Sequence, residues 1–237
     1  MGHIYEDPAL RDHAPVFADR QEAGRRLSQY LVGFPGLEDP LVCSIPAGGI
    51  PVGIEVSRAL GCPLRPLVVR KVQIPWNTEA GFGAVTWDGR VFLNEDLLRR
   101  IRIPPDQVDA AIEKARVNVR ERMTRFAVAE PFPDVVGHTC IIVDDGLASG
   151  YTMTAAAEEL RRLGPRRTVV AVPTGSLSAI ERVAGLVDEL VCLNVRTGYS
   201  FAVADAYEEW YDLPEEEAIA LLLAAAKGQK GISWKNL

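Results

Sequence analysis

Cys140-Ile-Ile-Val-Asp-Asp-Gly-Leu-Ala-Ser-Gly-Tyr-Thr152 is the stretch of sequence that decides the fold. Its four apolar residues predict a buried strand, and two carboxylates, Asp144 and Asp145, stand at the carboxyl end of that strand. A loop of small residues then leads directly into a predicted helix. In an open parallel sheet, ligands bind at the carboxyl ends of the strands. The stretch therefore predicts both an α/β sheet and the edge at which it binds a ligand.

The loop from Ala148 to Thr152 carries groups that suit a phosphate. It offers backbone N–H groups, the hydroxyls of Ser149 and Thr152, and the N-terminus of a helix. Asp144 and Asp145 lie one loop length away, where their acceptor oxygens suit a vicinal diol. A phosphate-binding loop beside a pair of diol-binding carboxylates predicts a ribose 5-phosphate site.

Strands and helices alternate on both sides of this stretch. Helices are predicted at 150–163 and 176–184, and strand, helix and strand in this rhythm indicate right-handed crossovers and a parallel sheet. Upstream, Asp19 and Glu22 fit a capping box that begins a helix, and a second helix is predicted over 51–60. The predicted strands span residues 41–45, 64–70, 139–143, 168–172 and 188–194. We therefore expect an α/β fold with a central parallel sheet of about five strands flanked by helices.

We expect the whole sequence, residues 1–237, to form a single domain. Residues 71–82 show little periodicity, and Trp87-Asp88-Gly89-Arg90 predicts a hairpin turn. Apolar residues spaced by three and four predict a long amphipathic helix over 104–128. We expect a core over about 19–213, a C-terminal helix and tail over 214–237, and a small hood formed by the terminal segments.

Composition excludes several classes of protein. Hydrophobic residues make up 48% of the 237 residues and charged residues 24%, which excludes disorder of the whole chain. The net charge of −6 argues against nucleic acid as a partner. Because the longest apolar run, 218–226, is far shorter than the roughly 20 residues of a membrane span, we expect no membrane partner either. Widely spaced cysteines in apolar runs and the lack of a signal peptide favour a reducing, cytoplasmic location.

The quoted stretch resembles the signature of the type I phosphoribosyltransferases, with Gly146 where an apolar residue is usual. Two further segments resemble this family. Ile45-Pro-Ala-Gly-Gly-Ile-Pro-Val52, which contains Pro46, Ala47, Gly48 and Gly49, is similar to its pyrophosphate loop. Val69-Arg-Lys71 is similar to the start of its flexible catalytic loop. From about residue 19 to 213, the chain resembles a bacterial and archaeal branch of the family whose acceptor is generally unassigned.

This resemblance implies a magnesium-dependent pentosyltransferase that uses phosphoribosyl pyrophosphate and a nucleobase-like small molecule. Asp144 and Asp145 would hold the ribose hydroxyls and Mg²⁺, and Arg70 and Lys71 would balance the charge of the leaving pyrophosphate. The 5-phosphate would lie in the loop formed by Ala148, Ser149, Gly150, Tyr151 and Thr152. Aromatic rings stack well on planar bases, so Tyr199 and Phe201, which follow the final strand, are candidates to bind the acceptor.

The residues leave alternatives open. Many relatives carry a basic residue where this chain has Ala47, which favours a protein that senses phosphoribosyl pyrophosphate or a nucleotide without turnover. Hydrolysis with water as the acceptor would need the same site. Arg70 and Lys71 also suit a solvated strand end, and Val-Asp-Asp after a strand occurs in receiver domains too. The acceptor and the oligomeric state, a homodimer included, stay open.

Overall fold

A parallel sheet forms the centre of the protein, as the strand and helix alternation predicts, but it has six strands instead of about five. The computed structural model describes residues 2–128 and 135–228, and the side chains of all of these except 78, 79 and 228. The order of strands across the sheet is β1-β9-β8-β7-β2-β3, and every neighbouring pair runs parallel. These strands are β1 (His3–Tyr5), β2 (Pro40–Ser44), β3 (Leu64–Pro66), β7 (Thr139–Val143), β8 (Arg167–Ser176) and β9 (Glu189–Arg196).

Helices cover both faces of this sheet and bury most of its residues. The helices are α1 (Arg20–Leu31), α2 (Gly49–Leu60), α3 (Glu95–Ile101), α4 (Pro105–Arg125), α5 (Tyr151–Arg162), α6 (Leu177–Ala184) and α7 (Glu215–Gly228). Alternate residues of β7 enter opposite cores: Cys140 and Ile142 pack on the side of α5 and α6, Ile141 and Val143 on the side of α1 and α2. Burial on both faces explains why this strand reads as a continuous apolar run.

A second, three-stranded antiparallel sheet includes the end of the predicted strand 64–70 and the segment of low periodicity after it. Its strands are β4 (Val69–Ile74), β5 (Asn77–Thr86) and β6 (Val91–Leu93), in that order. The single strand predicted over 64–70 is wrong, because Pro66 ends β3 and the chain leaves the main sheet to begin β4. Register shifts at Gln73 interrupt the two-residue alternation, which hides β4 and β5 from pattern analysis. The hairpin turn at 87–90 is confirmed.

The terminal segments meet at the carboxyl edge of the main sheet. A bridge joins Phe17 to Tyr207, and the N–H groups of Val16 and Phe17 donate to the carbonyl of Ala206. A short 3₁₀ helix over Val203–Ala206 lies in this layer. We call residues 16–20 and 202–211 the terminal cover. It corresponds to the expected hood, whereas the tail predicted at the C-terminus includes 229–237, outside the described residues.

The four cysteines are buried thiols, as expected for small apolar side chains in a packed core. They are Cys43, Cys62, Cys140 and Cys192. Burial raises the pKa of the Cys62 thiol to about 12, so it stays protonated at neutral pH. Within the described part of the chain, no helix has the length and apolar character needed to cross a bilayer.

Candidate active site

The predicted pyrophosphate loop and the acidic pair meet at one edge of the sheet. Strands β2 and β7 are neighbours with Ser44 paired to Val143, so the segments that follow them leave the sheet side by side. A Cβ atom added to Gly48 would lie 2.6 Å from Cγ of Asp145. One added to Gly49 would lie 2.9 Å from Cα of Asp144. The approach of the two motifs is therefore close enough that only glycine fits at both positions.

The loop of Pro46, Ala47, Gly48 and Gly49 is held by its own backbone. The N–H of Gly49 donates to the carbonyl of Ile45 at 3.1 Å, and Ser44 Oγ donates to the carbonyl of Gly49 at 2.6 Å. The Pro46–Ala47 peptide bond is cis. Helix α2 begins within the loop, at Gly49, two residues earlier than predicted. The loop thus presents backbone rather than charged side chains to the acidic pair.

The two carboxylates of the acidic pair have different surroundings. Asp144 Oδ1 accepts the N–H of Asp145 at 2.9 Å. Burial, and next the charge of Asp145, raise the pKa of Asp144 well above its usual value. Burial also raises the pKa of Asp145, but an arginine beside its carboxylate opposes this effect. Asp144 is therefore the less compensated of the two charges.

That arginine is Arg20, which sequence analysis did not select. Its Nε donates to Asp145 Oδ2 at 2.8 Å, and its Nη1 donates to the carbonyl of Tyr211 at 2.9 Å. Its Cζ lies 3.8 Å from the ring centre of Trp210, a cation–π distance. Only 7% of the Arg20 side chain is exposed. A cation in the first turn of a helix opposes the helix dipole, and this mismatch is the signal in the sequence that could have identified it.

The terminal cover also touches the backbone of the acidic pair. Tyr207 Oη donates to the carbonyl of Asp145 at 2.6 Å, and burial raises the pKa of this phenol. A Cβ atom added to Gly146 would lie 2.7 Å from Cγ2 of Val203. The side chain of Val203 occupies this space, which explains the glycine where an apolar residue is usual.

The predicted phosphate loop lies exposed at the N-terminus of α5. Leu147 N–H donates to the carbonyl of Thr174 at 2.9 Å, and Ser176 Oγ donates to the carbonyl of Ala148 at 2.7 Å. These bonds to the end of β8 fix the loop, while Ala148 and Ser149 remain exposed and Thr152 is half-buried. Gly150 has φ of +78°, a left-handed conformation that favours glycine. The amides of the first turn of α5 are thereby presented at the sheet edge.

Two side chains support this loop from outside it. Arg182 of α6 donates to the carbonyl of Ser149, and its Cζ lies 4.5 Å from the ring centre of Tyr151. Asn94, which caps α3, donates to Tyr151 Oη. Tyr151 therefore joins the phosphate loop to the second sheet. Neither Arg182 nor Asn94 lies in a recognisable motif, so sequence analysis missed both.

Arg70 and Lys71 lie on β4 of the second sheet. They line a cavity of about 620 Å³ between β4 and α4, together with Lys114 and Asn118. The buried guanidinium of Arg122, on α4, lies within electrostatic range of both Arg70 and Asp144. The assignment of Arg70 and Lys71 to the leaving group stays a prediction.

The two aromatic candidates for acceptor binding follow β9. Tyr199 is fully exposed and Phe201 is half-buried. The tyrosine is free of packing on its ring, which suits stacking but does not assign it. Their role in binding an acceptor stays a prediction.

The family of this chain follows from a match between its sequence and the sequence model of a protein family. The model described as "Phosphoribosyl transferase domain" matches residues 87–208, which include the acidic pair and the phosphate loop. The chain belongs to this family. Two curated phosphoribosyl transferase relatives come from Mycobacterium tuberculosis strains CDC 1551 and H37Rv and are named "Putative phosphoribosyl transferase". Each is 37% identical over 207 residues, which cover 87% of this chain and 46% of the relative. The chain thus spans about half the length of these relatives.

A solved structure is similar to most of this chain. The crystal structure of TT1426 from Thermus thermophilus has 36% sequence identity and a TM-score of 0.72, covering 88% of this chain and 98% of that chain. A shorter similarity is found with a ribose-phosphate pyrophosphokinase of Thermococcus kodakarensis, 46% identical over 63 residues. That match covers 26% of this chain and 22% of the kinase.

Proposed function

We propose that the protein transfers the ribose 5-phosphate group of phosphoribosyl pyrophosphate to a nitrogen acceptor, a nucleobase, with release of pyrophosphate. The contact of Gly48 and Gly49 with the acidic pair carries this proposal. In this contact the loop of Pro46 to Gly49 lies beside the acidic pair, and the loop from Ala148 to Thr152 follows the pair in the chain. This order matches that of pyrophosphate, ribose and 5-phosphate in the substrate. Membership in the phosphoribosyl transferase domain family supports it.

Each part of the edge has a chemical task in this reaction. The first-turn amides of α5 and the Ser149 hydroxyl bind the 5-phosphate, since a helix N-terminus favours an anion. Asp144 and Asp145 accept hydrogen bonds from the ribose hydroxyls and favour positive charge that develops on the sugar. The backbone N–H groups of the loop containing Ala47 and Gly48 bind the pyrophosphate. Tyr199 and Phe201 stack on the acceptor.

Magnesium fits this donor set. Within residues 2–128 and 135–228, no group of three or more His, Cys, Asp or Glu side chains is arranged to hold a metal ion. Mg²⁺ commonly takes one or two carboxylates and completes its shell with substrate oxygens and water. Asp144 and Asp145 supply such carboxylates, and Asp144 has the less compensated charge. When bound, the ion would neutralise charge on the pyrophosphate.

The transition state needs positioning and charge rather than a covalent nucleophile. As the bond at the anomeric carbon breaks, the sugar gains positive charge and the pyrophosphate gains negative charge. Preorganised groups aimed at these charges supply most of the stabilisation in such reactions. Arg70 and Lys71 act on the leaving group, so their contribution increases as that bond breaks.

One observation favours a second candidate, a sensor that binds the substrate without turnover. The pyrophosphate loop carries Ala47 rather than a basic residue, so no charged side chain of this loop meets the leaving group. A sensor and an enzyme would share the ribose and phosphate contacts. They differ only in whether pyrophosphate is released.

Incubation with magnesium phosphoribosyl pyrophosphate and a panel of nucleobases tests the proposal, with pyrophosphate and nucleotide measured separately. Pyrophosphate and nucleotide release with at least one base is expected. Pyrophosphate release without a base indicates hydrolysis, and tight binding without release overturns the enzyme in favour of the sensor.

Lys71→Ala separates the role of this side chain from ground-state binding. We expect kcat to fall about 10- to 1000-fold with a much smaller change in substrate affinity. Asp145→Asn should weaken both. Arg120→Ala is the control, because Arg120 lies on the exposed face of α4 and pairs with Glu113. If Lys71→Ala turns over like Arg120→Ala, the assignment of Lys71 is wrong.

A further inference from the structure

We propose that Arg20 is a positioning residue that holds the carboxylate of Asp145 in place to receive the ribose hydroxyls. This inference rests on the proposed function, because it concerns the ribose part of the same site. Arg20 comes from the start of α1, 125 residues before Asp145 in the chain. It lies in none of the motifs that resemble the family signature.

The surroundings of Arg20 form a built site for its guanidinium. One N–H group donates to Asp145 Oδ2, another donates to the carbonyl of Tyr211, and Cζ lies 3.8 Å from the ring centre of Trp210. The guanidinium offers donors in a fixed planar fork. Because these three partners come from two separate segments, the position of the guanidinium is defined by the fold and not by the carboxylate alone.

The carboxylate of Asp145 needs a cationic partner, because it lies in a crowded position next to another negative charge. It lies directly against Gly48, where even a Cβ atom would collide with it. The charge of Asp144 lies next to it, and burial disfavours both charges. A cation fixed on one oxygen compensates this repulsion and leaves the other oxygen of Asp145 to accept a hydrogen bond from the sugar.

The same cover also holds the backbone of Asp145. Tyr207 Oη binds the carbonyl of Asp145 at 2.6 Å, and the ring centre of Tyr207 lies 5.2 Å from that of Trp210. Side chain and backbone of the ribose-binding residue are thus tied to a single cluster of Arg20, Tyr207 and Trp210. Loss of Arg20 should therefore disturb the ribose hydroxyl contacts and leave the phosphate contacts of α5 in place.

Binding of two sugar phosphates tests this separation by calorimetry. Ribose 5-phosphate carries both hydroxyls, and 2,3-dideoxyribose 5-phosphate carries neither. We expect the wild type to prefer ribose 5-phosphate, and Arg20→Gln to bind it about 10- to 100-fold more weakly, the range for a lost hydrogen bond to a charged group. Binding of the dideoxy compound should change less than about threefold.

Arg26→Gln is the matched control on the same helix. Arg26 donates to the carbonyl of Val16 at 2.8 Å and lies 5.3 Å from the ring centre of Phe17, so it also supports the terminal cover. It makes no hydrogen bond to the acidic pair in the described structure. If Arg20→Gln and Arg26→Gln weaken both sugar phosphates alike, Arg20 has only a structural role and the inference fails.

A double-mutant cycle with Asp145→Asn distinguishes positioning of Asp145 from a general structural role of Arg20. If Arg20 acts through Asp145, the effects of Arg20→Gln and Asp145→Asn on ribose 5-phosphate binding should not add. Those of Arg26→Gln and Asp145→Asn should add. Additive effects in both cycles overturn the inference.

Arg20→Lys keeps the positive charge. It replaces Arg20→Gln in the binding test if the glutamine variant does not fold. A lysine lacks the planar fork, so the preference for ribose 5-phosphate should fall while the melting temperature stays closer to that of the wild type. An unchanged preference would contradict the inference. If the wild type binds neither sugar phosphate, the proposed function fails and this inference fails with it. If all Arg20 variants prefer ribose 5-phosphate as strongly as the wild type does, this inference alone fails.

Discussion

Gly48 shows how one residue can join two motifs that lie almost 100 residues apart. Its φ of −59° is ordinary for any residue, so its backbone conformation does not require glycine. What requires glycine is the carboxylate of Asp145, which occupies the space of a side chain. Sequence analysis singled out both motifs but could not show this contact, because the pairing of β2 with β7 brings them together.

Gly48→Ala should therefore weaken ribose 5-phosphate binding without a large loss of stability. The added methyl group would displace the Asp145 carboxylate, and we expect at least a tenfold loss of affinity, the scale of one charge-assisted hydrogen bond. Gly185→Ala is the control, since a Cβ atom there would meet only the carbonyl of Arg182 at 3.7 Å. Equal affinities of the two variants by calorimetry would argue against the contact.

Asp144→Asn should stabilise the protein without ligand at neutral pH. Burial and the neighbouring carboxylate raise the pKa of Asp144 in the folded state, so ionisation of this group lowers stability as the pH rises from its unfolded pKa through its folded pKa. Asparagine cannot ionise and still accepts the N–H of Asp145. A gain of about 1 kcal/mol would raise the melting temperature by roughly 2–4 °C in a chain of this size.

The stability gained through Asp144→Asn should increase as the pH rises. Below about pH 4, where the unfolded carboxyl is also protonated, wild type and variant should melt at similar temperatures. Scanning calorimetry between pH 4 and 8 measures this. A variant that is less stable than the wild type at pH 7 would contradict the burial of an uncompensated charge.

At the scale of elements, helix and strand patterns predicted the central sheet well. Strands β2, β7, β8 and β9 and helices α2, α4, α5 and α6 lie within a few residues of their predicted bounds, whereas the short helix α3 was not predicted. The apolar runs of these strands are buried on both faces, which gives an unambiguous signal. β1 has three residues and pairs only with β9, so its pattern is too short to recognise.

The second sheet was missed because its strands break the expected alternation. Gly81 and Gly83 interrupt β5, and the register with β4 shifts twice near Gln73. A Cβ atom at Gly83 would collide with the backbone of β6. Such close approaches and bulges depend on the partner strand, and no local pattern encodes them. The glycine at position 146 also depends on a tertiary contact, because the side chain of Val203 occupies the space that a Cβ atom would need.

Helices α4 and α7 are joined by ion pairs of two kinds, which predict different effects on stability. Glu215 pairs with the buried Arg122 at 2.7 Å and also with Arg125, whereas Glu216 pairs with Arg125 at the exposed surface. Removal of one partner of a buried pair costs about 3–5 kcal/mol, and partial exposure of Glu215 reduces this, so we expect about 1–3 kcal/mol for Glu215→Gln. Glu216→Gln should have little effect on stability, because both partners of its ion pair are exposed to solvent.

Urea unfolding of the two variants measures this difference. The midpoint should fall clearly for Glu215→Gln and hardly for Glu216→Gln, with unchanged slopes. Equal midpoints would mean that the Arg122 guanidinium is stabilised by other groups. Arg122 also lies within electrostatic range of Arg70 and Asp144, so this contact connects α7 to the candidate site.

At the scale of the whole molecule, the fold brings four separate segments to one sheet edge. The predicted pyrophosphate loop follows β2, the acidic pair and the predicted phosphate loop follow β7, and the terminal cover contacts the acidic pair. The first two were visible as motifs. The cover was expected only in outline, because the contacts of Arg20, Tyr207 and Trp210 join residues from the two ends of the domain and depend on the tertiary structure.

Calorimetric titration of magnesium phosphoribosyl pyrophosphate against ribose 5-phosphate tests the central claim that these segments form one site. Phosphoribosyl pyrophosphate would contact the pyrophosphate loop, the acidic pair and the phosphate loop, while ribose 5-phosphate contacts only the last two. We expect phosphoribosyl pyrophosphate to bind at least about tenfold more tightly, since one further charged contact contributes roughly that much, and the two ligands to compete for a single site. Failure of both to bind, or simultaneous binding without competition, would contradict the account.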